Sequence, residues 1–172
     1  MAGTIDFLDV TFKSAMIILA GTNVYFAHKF FNFKNQKEDV DKEKDRKINW
    51  LKTLILDHNL KHYYSFFDDL ELELNKLKAL NLTDIEKQTI DENNAELFVS
   101  IRRKFIDILL VVDKQIYDKI QSLFDKLQEE LTEIIFNQGI NLNHQPKFDE
   151  EIMSKISSTK TDVIKEIFKY RG

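Results

Sequence analysis

Four histidines, His28, His58, His62 and His144, are the first places to look for chemistry in this chain. His58 and His62 stand at i and i+4, so a helix would put both on one face, beside Asp57. Two imidazoles one turn apart can hold zinc. The catalytic form of that pattern needs a Glu directly after the first His and a third ligand, and here His58 is followed by Asn59. A polar helix face, or a pair of interface histidines, is the simpler reading. The densest carboxylates are Asp68-Asp69 with Glu71 and Glu73. A buried dyad would drive two pKa values apart and supply an acid and a base. Interleaved with Phe67, Leu70 and Leu74, these acids read instead as the solvated face of a helix. Arg102-Arg103-Lys104 is the compact basic triplet. It could meet phosphates of RNA or lipid, and pairing with acids on a neighbouring helix is the preferred reading. With no cysteine there is no thiol nucleophile and no thiolate metal site. Four scattered glycines build no phosphate loop. No catalytic residue, metal ligand or cofactor is therefore assigned, and the chain reads as non-enzymatic.

The elements that would position any such site are helices. The 172 residues include 4 Gly and 1 Pro, so the usual breakers of regular structure are nearly missing. With 43% hydrophobic and 31% charged residues, the chain is neither a disordered polar tail nor a disulfide-stapled miniprotein. Turn-rich sandwiches, barrels and Rossmann folds need more glycine than this. The expected class is all-α. A net charge of −4 gives no reason to expect a nucleic-acid partner.

The clearest local feature lies between Val10 and Phe33. From Ser14 to Ala27 the chain carries no charge. Those 14 residues would span about 21 Å as a helix, against a hydrocarbon core of roughly 30 Å. Val10, Thr11 and Phe12 lengthen the apolar run on one side. Phe30, Phe31 and Phe33 add an aromatic belt on the other, and Lys13, His28 and Lys29 can snorkel. A single transmembrane helix is the preferred reading. A buried or interfacial helix is the alternative, and a signal peptide fits less well, because it lacks a basic start and a small-residue cleavage site. Lys13 is the one basic residue of the first 13, whereas seven lie between Lys29 and Lys47. The positive-inside rule then places the C-terminal bulk in the cytoplasm, beneath a bacterial inner membrane. On a helical wheel Thr11, Ser14, Ile18, Gly21, Thr22, Tyr25, Lys29 and Asn32 share an arc of about 100°. Such a small and polar stripe suits close helix approach, or the lining of a wet interior. It is the candidate oligomer or pore face.

Three regions follow: 1–33 with the membrane helix, 34–47 as a charged stalk, and 48–172 as a cytosolic bundle. In the stalk only Val40 is apolar, and the charges alternate in sign as on a solvated helix. From Ile48 the spacing changes. Leu56, Leu60, Tyr63, Phe67, Leu70, Leu74 and Leu77 recur in steps of four and three, one apolar stripe of a helix that Asn81-Leu82 ends. Thr83 to Glu86 fits a capping box. A second stripe runs through Leu97, Ile101, Phe105, Ile108, Val112, Ile116, Ile120, Leu123, Leu127, Leu131 and Ile134, with an interruption expected at Asp91 to Asn94. Gly139 sits where a C′ glycine would stop that helix. Pro146 marks the next loop, and a last helix is expected over 149–170 with Ile152, Ile156, Val163 and Ile167 inside. An antiparallel bundle of three to four long helices is the expected architecture.

This layout of membrane segment, charged stalk and helical domain resembles the small single-pass membrane proteins of prokaryotic antiviral systems, such as the membrane accessory proteins of type VI-B CRISPR systems. The resemblance implies a membrane helix fused to a divergent HEPN-type helical domain, assembly into homo-oligomers, and pore formation in a lipid bilayer. HEPN ribonucleases carry an Arg followed four to six residues later by a His. Arg46, Arg102, Arg103 and Arg171 have no His at that spacing, and His58 to His62 contains no Arg. A nuclease is thus the least favoured reading. The expected function is a self-associating membrane effector or accessory protein. The alternative is a membrane-tethered adaptor whose bundle binds a protein partner encoded in the same operon.

Overall fold

The computed structural model describes Lys29 and residues 37–171, and every regular element among them is helical. The chain divides into two compact units between Lys44 and Asp45. Of the first unit, residues 37–44 are helical and exposed except for the half-buried Glu43, as expected of the charged stretch. The membrane helix read over 10–33 lies outside the described residues. Among the described residues no helix is long and apolar enough to cross a membrane.

Four helical runs build the second unit. The first comprises α1 (45–50), a π-helical stretch Leu51–Asn59, α2 (Leu60–Leu74) and a closing 3-10 turn, Asn75–Lys78. The Asn59 side-chain amide donates to the carbonyl of Leu54 where the wide turns give way to α2. Asn81 then reverses the chain with φ 59, a left-handed conformation that Asn tolerates better than most residues. The second run is α3 (Asp84–Ile101), a π stretch Arg102–Ile106 and α4 (Asp107–Val112). It starts on the expected capping box: the Thr83 hydroxyl accepts from the Glu86 N–H at 3.2 Å, and the Glu86 carboxylate accepts from the Thr83 N–H at 2.8 Å. The third run is α5 (Lys114–Phe136). The fourth is α6 (Gln145–Phe148), a π stretch Asp149–Met153 and α7 (Ser154–Lys169), with Pro146 in its first turn, where a missing N–H costs nothing.

Two expected punctuation marks move. Asp91 to Asn94 does not interrupt a helix; α3 runs straight through it. The core stripe continues there from Ile90 through Asn94 to Phe98 with all three buried, so packing holds the helix despite four residues of modest propensity. The break falls instead at Asp113, with φ −166 and ψ 132. Its carboxylate accepts from the Gln115 N–H at 2.7 Å and so starts a new helix. Gly139 is not a left-handed C′ residue either. The helix stops at Asn137, in extended conformation, whose side chain accepts from the Gly139 N–H at 2.9 Å.

The runs pack antiparallel, each on its neighbour in sequence. Side-chain pairs step in opposite directions along facing runs: Glu73 with Asn93 and Phe66 with Phe98; Arg102 with Asp125 and Asp91 with Thr132; Lys119 with Glu166 and Glu130 with Lys155. The centre is aromatic. Tyr63, Phe66, Phe67, Phe98, Phe105 and Phe124 meet with ring centroids 5.0 to 6.4 Å apart, half of the pairs edge to face, an arrangement their quadrupoles favour, and half tilted. Around them lie nearly all the residues of the two sequence stripes, and Ile152, Ile156, Val163 and Ile167 complete the core from α7. The Tyr63 hydroxyl donates to the carbonyl of Lys160, which ties the first run to the fourth; burial pushes its pKa up.

Candidate functional site

Of the stripe proposed as an oligomer or pore face, Thr11, Ser14, Ile18, Gly21, Thr22, Tyr25 and Asn32 lie outside the described residues. Lys29 is described, helical and exposed.

The two histidines fall on adjacent elements of the first run. His58 is exposed on the π stretch, while His62 is half-buried on α2. Among the described residues no group of three His, Asp or Glu side chains converges closely enough to hold a metal ion. His62 does line a cleft between the first and second runs, with Ser65, Phe66, Asp69, Leu97, Ser100, Ile101 and Lys104. Histidine, serine and aspartate are the ingredients of nucleophilic catalysis; here the Ser65 hydroxyl donates to Asp69 Oδ2 at 3.2 Å. The cleft holds about 50 Å³, room for a few waters. Of its polar members, Ser65 and Ser100 had no sequence signal, because a serine every few turns of an exposed helix face is ordinary.

The acidic cluster is a solvated face only in part: Asp68 and Asp69 are exposed, whereas Glu71 and Glu73 are half-buried. Glu73 accepts from Asn93 Nδ2 at 2.8 Å and from Lys76 Nζ at 2.6 Å, and so links α2 to α3. The basic triplet falls on the second π stretch. Arg102 reaches Asp125 of α5 at 2.6 Å, the intramolecular pairing that its surroundings suggested. Arg103 and Lys104 are exposed. Between α5 and α7 an open groove of about 670 Å³ is floored by Leu123 and rimmed by charges. Those charges are matched within it: Lys119 and Lys169 both reach Glu166, at 3.5 and 2.9 Å, and Lys165 reaches Asp162 at 2.9 Å.

The most connected polar group in the bundle is Asp113. Besides capping α5 it accepts from Lys47 Nζ at 2.7 Å, and this joins the first run to the break between the second and third. The Lys47 ammonium, then the Gln115 N–H and the Tyr170 hydroxyl, hold the Asp113 carboxyl below the usual carboxylate range, against the opposing effect of burial. Residues 46–50, 110–114 and 168–171 therefore gather at one end of the bundle. That end exposes Trp50, Leu110, Val111 and Phe168. The exposure has a simple origin: Leu109 to Val112 are four consecutive apolar residues, and a helix packed on one side buries only part of such a run, here Leu109 and Val112. Asn94 is the one buried residue of polar type among the described residues. It is 3% exposed, and neither polar atom of its side chain has a hydrogen-bond partner.

Comparison with known proteins returns no match to a family model, to a curated protein or to a solved structure.

Proposed function

We propose that this chain is a membrane-anchored, self-associating helical protein, an accessory or effector of prokaryotic antiviral defence that perturbs or pierces the bilayer. One observation carries the reading: the uncharged stretch from Ser14 to Ala27, with one basic residue before it and seven between Lys29 and Lys47. It is a single-pass protein of the bacterial inner membrane, with the bundle in the cytoplasm. The small and polar stripe from Thr11 to Asn32 brings copies together. The membrane lipid, further copies of the chain and a protein from the same operon are its partners. The proposed role is non-enzymatic, since the sequence carries no catalytic constellation such as a cysteine nucleophile or a phosphate-binding glycine loop.

The test is membrane fractionation followed by oligomer sizing of the full chain in mild detergent. The expected result is a membrane-bound oligomer that Gly21→Leu or Thr22→Leu dissociates, with loss of activity. A monomer in detergent, with both variants active, refutes self-association. A second reading, a membrane-tethered adaptor, draws support from the exposed Leu110, Val111 and Phe168. Replacing residues 1–33 with an unrelated membrane helix separates the two: an adaptor keeps working and a pore-former does not. A ribonuclease on this bundle would lose activity when His58 and His62 are both replaced.

A further inference from the structure

The end of the bundle away from Asp113 holds a cavity of about 260 Å³. Two chain reversals form it: residues 79–82 between the first and second runs, and residues 137–143 after α5. Its floor is apolar. Leu77, Ile135 and Leu142 are buried there, with Leu82 and Ile140 half-buried at the sides. Its polar lining is four asparagines and one lysine: Asn81, Asn137, Asn141, Asn143 and Lys87.

One asparagine builds the wall, and two present donors. Asn143 Nδ2 donates to the carbonyls of Ala79 and Lys78 at 2.7 and 3.1 Å, so the two reversals are bound to each other and the cavity is part of the fold. Asn137 Oδ1 accepts from the Gly139 N–H at 2.9 Å, and Asn141 Oδ1 from the Asn143 N–H at 3.1 Å. Each of these amides turns its oxygen to its own loop, which leaves the Nδ2 hydrogens as the group for a ligand. Lys87, half-buried near the start of α3, adds a cation that makes no ion pair with any described residue. The acids near it on α3 are spoken for or face outward: Asp91 accepts from the Thr132 hydroxyl at 2.8 Å, Glu86 closes the capping box, and Asp84 is exposed. No Asp or Glu lines the cavity, in a chain whose net charge is −4. The groove between α5 and α7 is the opposite case, since Lys119, Lys165 and Lys169 there each have a carboxylate within 3.5 Å.

Amide donors beside an unpaired cation are matched by acceptor oxygens that carry negative charge, as in a carboxylate or a phosphate. The apolar floor is matched by a short hydrocarbon body on the same molecule. At about 260 Å³ the cavity falls just below the roughly 300 Å³ at which pockets for drug-sized ligands begin, so the occupant is small. We propose that this cavity binds a small organic anion, a carboxylate or phosphate ester with a short apolar body, whose charged head meets Lys87, Asn137 and Asn141. The site lies wholly within the bundle and does not depend on the membrane reading.

The experiment titrates the full chain, in mild detergent, with butyrate, butyl phosphate, inorganic phosphate and butylamine. The readout is the side-chain amide NMR signals of Asn137 and Asn141. Saturable shifts are expected with butyrate or butyl phosphate, and the tighter of the two identifies the head group. Inorganic phosphate should bind at least about fivefold more weakly than butyl phosphate, because it leaves the floor uncovered. Butylamine should cause no shift. Lys87→Gln should weaken anion binding about tenfold. Asn141→Asp keeps an acceptor for the Asn143 N–H, so the loop stands, and it places a carboxylate in the cavity; the anion shifts at Asn137 should vanish while the circular dichroism is unchanged. No saturable shift with either butyl anion overturns the proposal. So does butylamine or inorganic phosphate binding as tightly as butyl phosphate, or undiminished anion binding in either variant.

Discussion

Asp113 is where the bundle is most sensitive to a single change, and the effect can be worked from its contacts. Asp113→Ala removes the N-cap of α5 and the acceptor of Lys47 together. Loss of the cap costs about 1 kcal/mol. Loss of a partly buried ion pair, with the Lys47 side chain still 28% exposed and able to rehydrate, costs up to about 1 kcal/mol more. The total is about 2 kcal/mol. Asp113→Asn divides the two contributions, because Asn caps a helix as well as Asp does but carries no charge; it should cost about 1 kcal/mol or less. The sign of the pH dependence is fixed. The folded-state pKa of Asp113 is lowered from 3.8, so the ion pair's contribution is fully present above pH 3.8 and is lost as pH falls through the lower folded value. The gap between the native chain and Asp113→Asn is therefore full at neutral pH and closes in acid. The assay is urea unfolding of the full chain in mild detergent, followed by circular dichroism at several pH values. If Asp113→Ala unfolds within about 0.5 kcal/mol of the native chain, or the gap to Asn does not narrow at low pH, the account of this joint is wrong.

Two further substitutions probe the core. Asn94→Leu should raise stability by about 1 to 2 kcal/mol in the same assay, since Asn94 is buried with both side-chain polar atoms unpartnered and an apolar side chain relieves that cost. Loss of stability instead would mean that Asn94 has a partner. Phe124→Ala should cost about 3 to 5 kcal/mol, because Phe124 touches Phe66, Phe67 and Phe98 and its loss opens a cavity at the meeting of three runs.

The helical class and most of the core were legible because burial follows spacing. The stripe from Tyr63 to Leu77 and that from Ile101 to Ile134 are buried at nearly every named position. The capping box at Thr83 was legible for a local reason: its hydrogen bonds lie within four residues. Two misreadings share one cause. Asp91 to Asn94 has the composition of a break, yet the core position of Asn94 keeps it helical. Asp113 sits in an unbroken apolar rhythm, yet it ends one helix and caps the next, with a lysine 66 residues away also on its carboxylate. Local chemistry proposes a helix end, and long-range contacts decide it. The sign of a cap at Asp113 was nonetheless present, as an acid following Leu109 to Val112 and preceding Lys-Gln. The water-sized cleft at His62 could not be read, because its members come from two runs whose register depends on the whole bundle.

Because each run packs on its sequence neighbour, assembly can follow synthesis. The chain leaves the ribosome N-terminus first, at about 5 to 20 residues per second. Helical bundles fold in microseconds to milliseconds. The aromatic centre draws on residues up to Phe124, all of which leave the ribosome ahead of α7. The 33 residues between Phe136 and Lys169 take about 2 to 7 s more. Throughout that interval the side of α5 that later meets α7 faces solvent. A chaperone, or a neighbouring nascent copy, has seconds in which to reach a surface that the finished protein never displays.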